Sequence, residues 1–455
     1  MPLKLDTPAL QNHSMPFSSL GLSPALLRAL GLTAANDFVA LTPIQHAALP
    51  AALQGRDLLG SAQTGSGKTL AFVLPILQRL EQAPSSAAAK PAESNKARSP
   101  RALILVPTRE LAVQVGEVFR DLAQHLQAQG QGKRALRVTT VFGGVSINPQ
   151  MMGLRSGIDI VVATPGRLLD LIDHNALALG SVQVLVLDEA DRLFDLGFAD
   201  ELQRVLALLP AARQNLFFSA TFPPKVEHLA HRLLNDPVRV VVPRAPETAP
   251  DIVQRAFLVD APRRTQLLRH LIEQNKQAWQ RVLVFVATKH AAEIVSEKLR
   301  KARINAEPFH GELSQGKRTQ VLADFKASRL TVVVATDVAS RGLDIAELPV
   351  VVNFDLPRSA VDYVHRIGRT GRAGVAGLAV NFVSAATEAH FWLIQKRQQV
   401  SVPLEIVASF EPTETAPDTG PANGGIKGNR PSKKDKLRAA ARSATADAAA
   451  DADSL

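Results

Sequence analysis

The chain has 455 residues, 46% hydrophobic and 21% charged, with no cysteine; it can build two or three domains with real cores, and wholesale disorder, disulfides, thiolate metal sites and cysteine nucleophiles are excluded. Lys and Arg outnumber Asp and Glu by 52 to 42, a net charge of +10, so a polyanion such as nucleic acid is the expected partner. Aromatic residues make up only 5%, which favours contacts to a sugar-phosphate backbone over a surface of stacked bases.

In chain order, residues 1–16 carry no apolar leader segment and are expected to be disordered, and no run approaches the roughly 18–20 apolar residues of a membrane span; a cytoplasmic protein without membrane contact is expected. Residues 17–243 read as a first α/β domain. In it a short apolar strand at Leu58 and Leu59 precedes AQTGSGKT, Ala62 to Thr69, and then the helical pattern LAFVLPILQRL. A glycine-rich loop between strand and helix is a phosphate cradle. Gly65 and Gly67 let backbone N–H groups curl around phosphate oxygens, Lys68 reaches the β and γ oxygens, and Thr69 can ligate magnesium. Gln63, Thr64 and Ser66 complete the loop, and Ala62 stands where the usual pattern has glycine.

Low-complexity sequence at 83–100 interrupts the domain and is expected to be a mobile surface loop without chemistry. RALILVPTRELA, from Arg101, is apolar throughout its β-branched part, the mark of a strand covered on both faces in a parallel sheet. IVVATPGRLLD, from Ile160, has the same form. Farther on, VQVLVLDEADRLFDLGF places Asp188 and Glu189 directly after a strand over Val182 to Leu187, at the carboxyl edge where parallel sheets bind ligands. There Asp188 would hold magnesium through water, and Glu189 would orient or deprotonate an attacking water. A solvated acidic turn is the bland alternative for those letters alone.

The proline-rich stretch at 244–251 reads as a linker, and 252–410 as a second domain. RVLVFVATKHAA, from Arg281, nearly superimposes on RALILVPTRELA at a distance of 180 residues, and VVVATDVASRGLD, from Val332, matches IVVATPGRLLD in the same order. Two homologous halves are the simplest account; the alternative is that Val-rich strands look alike. The second half has no phosphate loop but carries YVHRIGRTGRAG, Tyr363 to Gly374, with Arg369 and Arg372 flanked by glycines. Arginines delivered by one domain to a γ-phosphate held on another are worth factors of about 10³ to 10⁵ in comparable enzymes; a basic loop facing nucleic acid is the alternative. FWLIQKRQQV, around Trp392, looks like a closing helix packed on this domain. From 411 to 455 the chain turns Gly-, Pro- and Ala-rich, with seven basic residues from Lys427 to Arg442 against one acidic, and is expected to be a disordered basic tail.

Ten motifs in order resemble those of the DEAD-box RNA helicases, over about Phe17 to Ser384: TPIQ ending at Gln45, AQTGSGKT, PTRELA, Gly143-Gly144, TPGR, DEAD at Asp188 to Asp191, SAT at Ser219 to Thr221, VFVATK, TDVASRGLD and HRIGRTGR. The resemblance implies an α/β fold of two tandem RecA-like parallel-sheet domains with a cleft between them, and ATP and Mg2+ as cofactors. It implies that Gln45 reads adenine, with Phe17 and Phe38 as stacking aromatics, although Phe17 lies 28 residues before Gln45 and Leu41 replaces the family's proline. Gly342 and Asp344 would approach the ATP ribose and phosphates. RNA, single-stranded or short duplex, would lie along Pro107, Thr108, Arg109, Gly143, Gly144, Thr164, Pro165, Gly166 and Arg167 in the first half. Thr288, Thr336 and Arg341 would continue the groove in the second. Asp191, Ser219, Thr221 and His365 would couple the two sites. The segment SVPLEIVASFEPTE is similar to the end of the core in RhlE-type bacterial members. The implied activity is RNA-dependent ATP hydrolysis coupled to unwinding of short duplexes, with ribonucleoprotein or RNA-decay partners; a DNA helicase of the same superfamily and an ATP-gated RNA clamp are the rivals.

Overall fold

The computed structural model of the chain describes residues 17–31, 41–62, 66–82, 99–129, 135–242, 252–340, 348–371 and 376–415. The expectations for residues 1–16, Phe38, Gln63, Thr64, Gly65, the stretch 83–98, the linker, Arg341, Gly342, Asp344, Arg372 and the tail beyond 415 lie outside those residues.

Each apolar β-branched run folds as a short strand. The first half holds β1 (Leu58–Ser61), β2 (Ala102–Leu105), β3 (Val138–Val141), β4 (Ile160–Ala163), β5 (Val184–Leu187), β6 (Gln214–Ser219) and β7 (Val238–Val241). The second holds β8 (Ile252–Leu258), β9 (Val282–Val286), β10 (Ala306–Phe309), β11 (Val332–Thr336), β12 (Val350–Asn353), β13 (Gly377–Val383) and β14 (Leu404–Glu405). They make two seven-stranded sheets, β3-β4-β2-β5-β6-β1-β7 and β10-β11-β9-β12-β13-β8-β14, with parallel pairing throughout. Raising every strand number in the first order by seven gives the second. The repeated segments therefore fall on equivalent strands, β2 with β9 and β4 with β11, and the duplication read in the sequence is a duplication of topology.

Burial on both faces accounts for the unbroken apolar runs. Along β2, Ala102 and Ile104 join one core while Leu103 and Leu105 join the core on the opposite face. Val282, Val284 and Val286 against Leu283 and Phe285 repeat this along β9. With a side-chain period of two and helices on both sides, every position along these two strands is apolar.

One expectation needs correction. The second unit does not end at 410: the Glu414 and Thr413 N–H groups donate to Asp260 at 3.0 and 2.9 Å, as does the Thr413 hydroxyl at 2.8 Å. Those donors, Glu414 first, hold the Asp260 carboxyl below the usual carboxylate range. A composition that reads as tail conceals them because the partner lies 153 residues away. The expected closing helix is Glu388–Gln398; it packs through Phe391 and Ile394, at 1% and 2% exposure, and Trp392 is 59% exposed under the Lys396 ammonium. No described helix is long and apolar enough to cross a membrane.

Candidate active site and nucleic-acid interface

All strands of a parallel sheet end at one edge, and the motifs gather there. In the chain they alternate; in the sheet they are sorted. β3, β4 and β2 run into Gly143-Gly144, Thr164 to Arg167 and Pro107 to Arg109, whereas β5, β6 and β1 run into Asp188-Glu189, Ser219 to Thr221 and the phosphate loop. The line between β2 and β5 thus divides a half suited to nucleic acid from a half suited to nucleotide. In the second sheet Thr336 and Thr288 close β11 and follow β9, the counterparts of β4 and β2.

The helix Lys68–Gln82 starts on the phosphate-loop lysine. Gly67 enters it at φ +93°, and a Cβ there would stand 2.6 Å from Gln45 Nε2, so only glycine fits. Buried Gln45 accepts from the Thr42 N–H at 3.0 Å and donates to the Gly67 carbonyl at 3.0 Å. The adenine-reading candidate is therefore tied to the loop and keeps one amide N–H and one lone pair for a ligand. Phe17, the expected stacking ring, is 3% exposed and packed in the apolar core in this structure. Lys68 Nζ donates to the Ala62 carbonyl at 3.0 Å and lies 3.9 Å from Asp188 Oδ1.

Burial pushes the Asp188 carboxyl up to about 6 against the pull of Lys68, and the neighbouring Glu189 charge adds to the rise. Glu189 adopts φ 52°, the left-handed region, which costs a side-chain-bearing residue about 1–3 kcal/mol. The turn lets its N–H donate to Asp188 Oδ1 at 2.9 Å while its own carboxylate takes a 2.8 Å bond from Arg192 Nη1. Two adjacent acids are thus aimed apart, one beside Lys68 and one onto an arginine. Among the described residues no group of three or more carboxylate or imidazole side chains is placed to hold a metal ion. A cation held here by Asp188 and Thr69 would have to complete its shell with phosphate oxygens and water, the habit of magnesium.

Behind the acids, Asp191 Oδ2 accepts from the Thr221 N–H at 2.9 Å and hydroxyl at 2.7 Å, and Ser219 Oγ accepts from the Asp191 N–H at 3.1 Å. Three of the four expected coupling residues are therefore joined directly. The fourth, His365, comes from the second unit on the helix Ala360–Ile367. Burial holds its pKa below the ordinary imidazole value, the Arg192 charge across the boundary adds to this, and Asp191 opposes it. Arg369 follows that helix, is 8% exposed, and its carbonyl accepts from the Leu348 N–H at 3.1 Å.

On the other half of the edge the Arg109 guanidinium lies over Gly144: at φ +79°, a Cβ on Gly144 would be 2.0 Å from Arg109 Nη1. Two motifs 35 residues apart form one surface there. Burial lowers the Arg109 pKa, and Arg318 and Arg167 add to the effect. Arg167 donates through Nη2 to the Val145 carbonyl at 2.8 Å, while its buried Nη1 has no hydrogen-bond partner among the described residues. Thr108 Oγ1 accepts from Leu111, Thr164 heads the helix Pro165–Asp173, and exposed Thr288 caps the helix Lys289–Lys301 through a 3.1 Å bond from Ala291.

Three residues here went unassigned in the sequence reading. Arg192 lies one helical turn from Glu189, an i,i+3 spacing that could have revealed it. Glu110 and Arg318 form an ion pair between the units at 2.7 Å, with side chains 8% and 4% exposed; the two lie 208 residues apart, and no local pattern links them.

The DEAD/DEAH box helicase model matches residues 42–229, and the helicase conserved C-terminal domain matches 263–374. The chain is 38% identical to ATP-dependent RNA helicase DeaD of Escherichia coli over 85% of its own length and 58% of that protein's. It is 40% identical to RNA helicase CrhR of Synechocystis over 85% of its length and 74% of that protein's. A structure of Saccharomyces cerevisiae Dbp5 bound to RNA and ADP BeF3 is 29% identical, with TM-score 0.70 over 86% of this chain and 95% of that one. The chain thus spans little more than half the length of DeaD.

Proposed function

The chain belongs to the DEAD-box RNA helicase family, and on that premise we propose that it is an RNA-dependent ATPase that couples ATP binding and hydrolysis to local unwinding or remodelling of short RNA duplexes. The sorting of motifs along the carboxyl edge carries the reading, with nucleotide chemistry on the β5-β6-β1 half, backbone contacts on the β3-β4-β2 half, and the Asp191–Ser219–Thr221 cluster on the nucleotide side facing His365.

Lys68 exchanges the Ala62 carbonyl for the β and γ oxygens of ATP, and the loop from Ala62 to Thr69 wraps the phosphates with its N–H groups. Thr69 and Asp188 hold Mg2+, which supplies neutralisation of phosphate charge. Glu189 orients the attacking water and takes its proton. Arg369 and Arg372, from the second unit, stabilise charge on the transferring phosphoryl group. Gln45 reads adenine, with Phe38 lining the base and Gly342 and Asp344 the ribose and phosphates; Phe17, packed in the apolar core, is left out of the base contact. Arg109, Arg167 and the hydroxyls of Thr108, Thr164, Thr288 and Thr336 hold sugar and phosphate, with Pro107, Gly143, Gly144, Pro165, Gly166 and Arg341 shaping the groove; such contacts position a strand without reading its sequence. Both ligands touch both units, so each favours the closed cleft, and a strand bent on closure cannot stay paired. Cytoplasmic location and ribonucleoprotein partners belong to the same proposal.

The test is steady-state ATP hydrolysis at fixed salt with no nucleic acid, single-stranded RNA, duplex RNA and matched DNA, beside Glu189→Gln. Stimulation by RNA alone, lost in the variant, is expected. Equal stimulation by DNA would point to a DNA helicase, and turnover without strand separation in the duplex arm to a clamp.

A further inference from the structure

The second unit contains a buried polar path that the proposed chemistry leaves unused. Arg366 directly follows His365 in the helix Ala360–Ile367, yet it is 3% exposed and turned into the sheet edge. Its Nε and Nη2 grip the two carboxylate oxygens of Asp337 at 2.6 and 2.7 Å. Its Nη1 donates to Asn353 Oδ1 at 3.0 Å and to the Asp355 carbonyl at 2.6 Å. Behind it Asn353 donates to Asn381 at 2.8 Å, and Asn381 to the Tyr363 hydroxyl at 3.1 Å.

The ends of the fork lie on different halves of the edge. Asp337 follows Thr336, which closes β11 on the nucleic-acid side, while the arginine's helix follows β12 and leads into Arg369 on the nucleotide side. A buried guanidinium is tolerated only when its donors are met, and a two-bond fork fixes orientation as well as distance. Lysine keeps the charge but not the fork.

We infer that Arg366 is a positioning residue: through Asp337 it transmits engagement of the nucleic-acid strand at the end of β11 to the helix that presents His365 and Arg369, so that strand binding aims Arg369. The inference rests on the proposed RNA-dependent ATPase.

The experiment uses the full chain with oligouridine as the RNA probe and compares wild type, Arg366→Lys, Asp337→Asn and Tyr363→Phe. The first two variants are expected to lose about 10- to 100-fold in RNA-stimulated kcat, down to the unstimulated rate, with half-saturating ATP moving less than about threefold. Tyr363→Phe breaks the same path at its far end and is expected to keep stimulated kcat within about twofold, even where it lowers the thermal midpoint. If Arg366→Lys fails to fold, Asp337→Asn, on a partly exposed side chain, decides alone. Full stimulation in Asp337→Asn, or loss of stimulation in all three in step with their midpoints, would overturn the inference. A wild type that RNA does not stimulate overturns the functional reading itself, visible before any variant is compared.

Discussion

Asp188 is the residue whose surroundings and proposed task conflict most. Burial raises its carboxyl from 3.8 to about 6, so between those values the unfolded chain gives up its proton first and the stability this group contributes falls as pH rises. Holding a magnesium ion requires the ionised form, so Mg-ATP binding should expel most of a proton at pH 5.5 and almost none at pH 7.5. Calorimetry in two buffers of different ionisation enthalpy reads this directly. The same proton release in Asp188→Asn would place the titrating group elsewhere. A second residue-scale prediction concerns Gly144→Ala, which must displace the Arg109 guanidinium. RNA affinity should fall about tenfold, and the slope of log affinity against log salt should shrink by about one. An unchanged slope would mean that Arg109 touches no phosphate. The motifs that carry Lys68, Asp188 and Glu189 were legible in their spacing; Arg366 was read only as a letter within HRIGRTGR, because Asp337 lies 29 residues upstream.

At the scale of elements, the strands were legible wherever both faces are buried, since an apolar run without alternation has one reading in an α/β chain. Ends and edges were harder. β14 has two residues, and the bonds from Thr413 and Glu414 to Asp260 pass no local signal, so composition placed the boundary too early. The closing helix was legible in its apolar pattern, but which of its apolar residues face the sheet was not. At 100° per residue Phe391 and Ile394 share the inner face, and Trp392 turns outward. Phe391→Ala should therefore cost about 3–5 kcal/mol in denaturant titration and Trp392→Ala less than about 0.5 kcal/mol. The reverse order would mean that the helix packs on its other face.

Across the whole molecule, duplication supplies two sheets of one topology, and the second has lost the phosphate loop while keeping the edge that can face a partner site. One contact that joins the halves is not periodic and was invisible in the sequence. Glu110, beside Arg109 at the start of the helix Arg109–Gln129, meets Arg318 of the second unit in a buried pair. Such a pair exists only while the halves are together, and breaking it from one side leaves a buried charge. Opening the cleft relieves that cost, so Arg318→Ala should favour the open arrangement rather than unfold either sheet. It should weaken RNA binding in the presence of a nonhydrolysable ATP analogue by about 10- to 100-fold. Equal binding by variant and wild type, in a fluorescence-anisotropy titration, would make the contact incidental.

The most direct measurement of the account is RNA affinity at fixed salt with and without that analogue, paired with analogue affinity with and without RNA. Coupling through a shared closed cleft predicts that each ligand tightens the other by the same factor, at least about tenfold. An RNA affinity indifferent to the analogue would contradict it, because the two halves of the edge would then bind their ligands without a common closure.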